Sequence, residues 1–314
     1  MKKSLIYVLL STVLFSLMEI ALKAAGNQFN PIQLNLIRFT LGGLVILPFA
    51  VAHLKKQRRR IKIADWKFFS LTGFLCVVIS MTLYQLAIEY GEPAIVAVLF
   101  SCNPVFALIF AYLILHENVS RTDIISLVLS VIGLLVIVDP FKLTDPLGIF
   151  FAILAAATFG FYSIMSQAAS LRVELDGVVM TSFTFIAGAL ELLVIILITK
   201  LPPVAAGMRS VSWLKPFAAI PILTNVNLPN LWILLFVGVA VTGGGFAFYF
   251  LALQEGGVTM ASLVFFFKPV LSPIFAFFLI GENISLPTII GVAIIIVSSL
   301  ITLYGYRIDV KSSE

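Results

Sequence analysis

Charge is scarce in this chain. Asp, Glu, Lys and Arg make up 11% of its 314 residues against 61% hydrophobic ones, and mean hydropathy is +1.13. A soluble globular domain carries about a quarter of its residues as charges, so that class is excluded. Cysteine is equally sparse: Cys76 and Cys102 both fall inside apolar runs, where a free thiol behaves as a small hydrophobe. Neither a disulfide nor a metal site is expected, and the two histidines, His53 and His116, sit far apart at a loop and a helix end, where a solvated surface role is expected. Walker-type phosphate loops, zinc-protease signatures and nucleophile elbows are absent, which speaks against ATP-driven pumping and hydrolysis. No resident cofactor and no enzymatic activity are expected.

What the chain has is apolar length. Runs of about 20 residues, each long enough to cross a bilayer as a helix, recur about ten times. They lie near 4–24, 32–52, 68–88, 94–115, 122–139, 146–167, 177–198, 230–253, 258–280 and 287–305. The first continues through Glu19 and Lys23 without a small-residue cleavage site, so it is read as a helix rather than a signal peptide. The fold class expected is an all-α integral membrane protein of about ten transmembrane helices. The interruption at 200–229 carries Pro202, Pro203, Pro216, Pro221 and Pro229, and is read as an external or interfacial loop.

A stretch starting at Tyr84 recurs from Tyr249. Leu86, Ala87, Gly91, Phe100, Pro104, Glu117, Asn118 and Ser120 match Leu251, Ala252, Gly256, Phe265, Pro269, Glu282, Asn283 and Ser285 without a gap. Such self-similarity marks a duplicated unit. The division expected is 1–140 and 141–314, five helices in each. An odd number of spans per half makes the second copy enter from the opposite side, giving two inverted repeats suited to alternating access.

Lys55, Lys56, Arg58, Arg59, Arg60, Lys62 and Lys67 cluster between the second and third spans, and Lys2 and Lys3 precede the first. Positive charge of this kind marks cytoplasmic segments, so a multi-pass cell-membrane protein with both termini in the cytoplasm is expected. The cluster is read as a topology signal at the cytoplasmic face of the lipid bilayer rather than as a site for anionic lipid, and no nucleic acid partner is expected.

The two five-span halves, Pro31 followed by Arg38, and a Pro then a Glu-Asn pair in each half resemble the drug/metabolite transporter superfamily, and more narrowly its EamA-type permeases. That resemblance covers nearly the whole chain. It implies a secondary transporter of small polar metabolites such as amino acids or other carboxylate- or phosphate-bearing solutes, with export favoured over uptake; a monomer or homodimer is expected. Lys268 directly before Pro269 and the long 200–229 loop depart from the common pattern.

Candidate site residues follow from the cost of polar groups in hydrocarbon. A Lys at the centre of a span costs about 3 kcal/mol or more on insertion scales, so Lys268 faces a polar cavity or a partner. Its counterpart is Asn103, and the two are expected to face each other across the repeat axis. Glu19 and Lys23, four apart on one helix face, either pair with each other or leave Glu19 for Lys268 or a proton. Arg38 offers a fork for a carboxylate or phosphate, or anchors helix ends. Tyr84 and Tyr249 occupy equivalent places and, with Tyr162, Ser163 and Ser166, are candidate cavity lining. Pro104, Pro269, Gly243, Gly244 and Gly245 are candidate hinges, and Gly42-Gly43 and Ala155–Ala157 allow close helix approach. Glu117 and Glu282 resemble end caps. Glu191 has no evident partner.

Three functions compete at this point. The first is transport of an anionic or zwitterionic metabolite, with Lys268 on its carboxylate or phosphate. The second is proton-coupled efflux of cationic or lipophilic drugs centred on Glu19, which requires Lys268 to be neutralised by an internal acid. The third is a membrane-embedded enzyme or sensor on a transporter-like scaffold.

Overall fold

The computed structural model describes residues 2–115, 121–138, 145–211 and 214–313. Those residues are almost wholly helical. Eight helices are long and apolar enough to span a membrane: α1 Lys3–Gly26, α2 Pro31–Lys56, α3 Ile63–Tyr90, α4 Pro93–Ile114, α6 Pro146–Ser170, α7 Gly177–Thr199, α8 Leu228–Ala252 and α9 Leu263–Ile280. Two shorter apolar helices, α5 Ile124–Ile137 and α10 Leu286–Ser298, complete the order among the described residues.

Local chemistry sets the boundaries. Asn30 caps α2 by accepting from the backbone N–H groups of Ile32 and Gln33, with Pro31 in the first turn where its missing donor is harmless. Asp176 does the same for α7 through Val179. Three of the basic residues, His53, Lys55 and Lys56, occupy the last helical turn of α2, where the helix dipole favours them.

Helix α8 runs into α9 through backbone that is helical from Gly245 to Ile280. The ring centroids of Tyr249 and Phe265 are nevertheless 5.4 Å apart, and Phe15 meets both Phe246 (4.9 Å) and Phe265 (6.2 Å). On a straight helix Tyr249 and Phe265 would be about 24 Å apart. The chain therefore doubles back between them, and α8 and α9 are separate spans.

Packing runs in matched sets. Helix α2 crosses α7, and α5 lies along α10; α1 packs on α8 and α9, while α6 packs on α3 and α4. Phe39 of α2 and Phe185 of α7 meet edge to face at 4.7 Å. Where α3 passes α7, Gly73 and Gly188 touch backbone to backbone: a Cβ on Gly73 would lie 2.5 Å from the Gly188 nitrogen. Thr72 and Thr184 are joined by a 2.7 Å hydrogen bond beside that contact. In α3 and α8 the helix widens to a π-helical register, over Phe74–Ser80 and Phe236–Gly244. Gly243 and Gly244 lie in the second of these stretches, and Gly245 opens the helix after it.

The two ends of the bundle differ. At the end that bears the basic cluster, a cavity of about 470 Å³ opens between α2, α7 and α8, lined by His53, Lys56, Gln57, Asp176, Val178 and Phe250. At the other end the 200–229 segment is folded down, with a short helix Pro202–Ser210. Gln33 donates to the carbonyls of Ile222 (3.1 Å) and Thr224 (2.7 Å), Asn225 donates to Gln28 O (2.6 Å), and Ile220 is buried in the core.

Candidate functional site

Away from the loop chemistry at the ends, a charged cluster sits inside the bundle. Lys268 Nζ lies 2.8 Å from Glu19 Oε1, with Lys268 4% exposed and Glu19 wholly buried. The Tyr84 hydroxyl donates to the same Glu19 oxygen, so α1, α3 and α9 meet at one carboxylate. The Lys268 ammonium also stands 5.4 Å from the centre of the Phe100 ring, which packs on Tyr84 at 4.5 Å. Cation, ring and hydroxyl together replace the hydration that a buried ion pair loses. Glu19 Oε2 has no partner, and neither have the buried hydroxyls of Ser16, three residues before Glu19, and Ser272, four residues after Lys268.

Glu19 is free for this contact because Lys23 is engaged elsewhere. Its ammonium donates to the carbonyls of Ile88 (2.8 Å), Glu89 (2.9 Å) and Gly91 (3.2 Å), closing the end of α3. Helix termini expose carbonyls that need donors, and that need outcompetes the local i,i+4 pair.

Arg38 of α2 is 1% exposed and has no carboxylate within 4 Å among the described residues. Its Nε donates to Asn35 Oδ1 at 3.1 Å, Nη1 approaches the Met18 sulfur at 3.8 Å, and the guanidinium covers the Phe39 ring at 4.4 Å. Asn35 is fixed in turn, donating to Val77 O (2.9 Å) and Thr82 (3.2 Å) on α3. Val77 lies in the π-helical stretch of α3. Arg38 Nη2 has no partner, and neither end of the buried Gln85 amide has one.

Over the whole chain, residues 2–139 and 146–304 match the model of the EamA-like transporter family. The chain belongs to that family. It is 32% identical to an uncharacterized transporter of Clostridium kluyveri over 100% of this chain and 96% of that one. It is 24% identical to a protein of Rickettsia prowazekii named as an S-adenosylmethionine uptake transporter, over 98% and 94% of the two chains. A solved crystal structure superposes with a TM-score of 0.60 at 18% identity, covering 95% of both chains, which is a likeness of fold. This protein is therefore a multi-pass membrane transporter.

Within the transporter, the Asn103 amide is engaged on its own stretch of α4. Its side chain donates to Phe100 O at 2.8 Å, the carbonyl that would have received the N–H that Pro104 lacks. That contact is a local repair of α4, which breaks at Ser101–Cys102. Tyr249 packs its ring on Phe250 and Phe265, and Pro269 continues inside the helix. Tyr162 is buried on α6, beside Phe159, Ser166 and Cys76. Ser163 bonds back to Phe159 O.

Three further expectations change. His53 is not a solvated surface group: half-buried, its Nδ1 lies 2.8 Å from Asp176, which also accepts from Gln57. The partner comes from a distant span, so no sequence spacing reports it. Glu191, without an evident partner in the sequence, accepts from Ser70 of α3. Glu282 caps α4, a helix other than its own, by accepting from Ala94 N at 3.1 Å. His116, Glu117, Asn118 and Ser120 lie outside the described residues.

Proposed function

We propose that this chain is a secondary transporter of small amino-acid-like metabolites, with the Glu19–Lys268–Tyr84 cluster as its cargo site. The observation that carries this reading is a buried pair of opposite charges whose carboxylate still has one unpartnered oxygen. A zwitterion matches such a place: its ammonium meets Glu19 while its carboxylate meets a cation of the cluster, so neither pole is left bare in a low-dielectric interior. The relatives named for S-adenosylmethionine uptake support the same class, because that compound carries an α-amino-acid head. It is the first cargo to try.

In this reading the halves 1–140 and 141–314 are inverted repeats that rock about the site, with Pro104, Pro269 and Gly243–Gly245 absorbing the bend. The basic end faces the cytoplasm of the cell membrane, and Glu19 is the group through which a proton would couple. The test is flux in both directions in proteoliposomes with radiolabelled L-amino acids and S-adenosylmethionine. Glu19→Gln and the double variant Glu19→Gln/Lys268→Met are expected to lose it. Wild-type flux in the double variant overturns the assignment.

Drug efflux centred on Glu19 keeps one supporting observation, since Lys268 is neutralised by an internal acid. That acid is Glu19 itself, so a cationic drug would have to displace a tethered ammonium. Flux of a quaternary amine that protons compete away, with no amino acid moved, would put this reading first.

A further inference from the structure

Among the described residues, Arg38 and Lys268 are buried cations within the spans and Glu19 is a buried acid beside them. Glu19 and Lys268 cancel each other, which leaves the Arg38 charge unmatched at 1% exposure, with no acid within 4 Å among the described residues. Buried charges without a counter-ion are costly and mark functional places in a membrane protein. The fork is also held for use. Asn35 grips Nε and is itself locked by Val77 and Thr82, the Phe39 ring supports one face, and Nη2 is presented with nothing to donate to. A side chain meant only to brace helix ends would spend those hydrogens on carbonyls, as Lys23 does on three of them.

We infer that Arg38, rather than Lys268, is the group that takes the cargo's carboxylate, and that the cargo must carry one. The inference rests on the reading of the cluster as the cargo site. Arg38 Nη1 reaches the sulfur of Met18, the residue before Glu19, at 3.8 Å, and Arg38 and Glu19 form no direct ion pair. An α-amino acid, whose carboxylate and ammonium are one carbon apart, bridges two such groups: its carboxylate lies across the guanidinium and its ammonium donates to the open Glu19 Oε2. Lys268 then stays on Glu19 Oε1 throughout and acts as a positioning residue that holds the carboxylate ionised and in place. The 2.8 Å pair does not have to break for cargo to enter.

The experiment is thermal unfolding of the purified full chain in detergent against a panel of L-amino acids, S-adenosylmethionine and the carboxamides of each. At least one acid is expected to raise the melting temperature of the wild type, with its carboxamide binding about tenfold to hundredfold more weakly, the worth of a charge-assisted contact. Arg38→Gln is expected to bind acid and carboxamide alike, and to melt higher than the wild type without ligand, since an unmatched buried charge is gone. Arg38→Lys keeps the charge but loses the fork, and is expected to fall between. A purely bracing Arg38 would instead give a Gln variant that melts lower and keeps the preference for acids. Carboxamides that stabilise as well as acids, or a panel in which no acid stabilises the wild type, overturn the inference. Loss of acid binding in Lys268→Met but not in Arg38→Gln sinks the assignment to Arg38 and leaves the cluster reading standing. The reverse pattern, in which Glu19→Gln/Lys268→Met keeps acid binding that Arg38→Gln loses, sinks the cluster reading alone.

Discussion

Asn103–Pro104 and Lys268–Pro269 align without a gap between two matching stretches of the sequence, and they have been put to opposite uses. In the first half the residue before the proline turns back and donates to Phe100 O, mending the helix where the proline withdraws a hydrogen bond. In the second half the longer side chain leaves its own helix, crosses to α1 and meets Glu19. One copy spends its polar group on backbone, the other on a partner helix. The lesson is that a proline in a span creates a local demand, and the neighbouring side chain decides whether that demand is met or the group is released for chemistry.

The sharpest way to break this contrast is to remove one charge. Lys268→Met leaves the Glu19 carboxylate buried and unpaired, a cost of about 3–5 kcal/mol. A large drop in denaturation midpoint is expected, restored by the double variant Glu19→Gln/Lys268→Met. A midpoint unchanged by Lys268→Met would mean that the pair is not buried in solution.

Asn103→Leu tests the other copy. An unsatisfied Phe100 carbonyl costs about 1–3 kcal/mol, with transport of the cargo retained in the folded fraction. Loss of transport at unchanged stability would give Asn103 back the binding role that its fold position argues against. Lys23→Met removes the donor that closes α3 and should cost about 1 kcal/mol or less, read as faster amide exchange confined to Ile88–Gly91. Exchange left at the wild-type rate would show that water caps those carbonyls equally well.

The smallest effect is a pH dependence at Glu282. Burial pushes its carboxyl above the usual range, the Ala94 N–H pulls it partly back, and Glu92 adds to the rise. A raised acid favours folding below its ordinary pKa, and that contribution fades as pH climbs through the raised value. Wild-type stability, measured relative to Glu282→Gln, should therefore grow slightly as pH falls from neutral toward 5. A difference of opposite sign would show the Ala94 hydrogen bond to be the stronger influence.

Hydropathy alone located the spans, because about 20 apolar residues are what a bilayer requires, and α1 to α10 fall close to the expected runs. Lys268, Glu19 and Arg38 stood out for the complementary reason, that charge in hydrocarbon demands an explanation. Their partners were not legible. Lys23 sits one turn from Glu19 and offers it a local mate, and only the fold shows the end of α3 claiming that ammonium. His53 with Asp176, Ser70 with Glu191 and Gln33 with the 200–229 segment are joined across many spans, and no periodicity encodes them. The π-helical stretches carry no compositional mark either, since their residues are as apolar as the helices around them.

Those stretches give the helix an unusual tolerance. Within Phe74–Ser80 the helix holds more residues per turn than its flanks, so this segment carries slack in chain length. Excising a single amino acid there would let the coil tighten to an ordinary α-helix, in which the shortened segment turns through nearly the same total angle and leaves Tyr84 facing Glu19. The loss of one codon is thus a milder change in this segment than in the ordinary helical turns beside it.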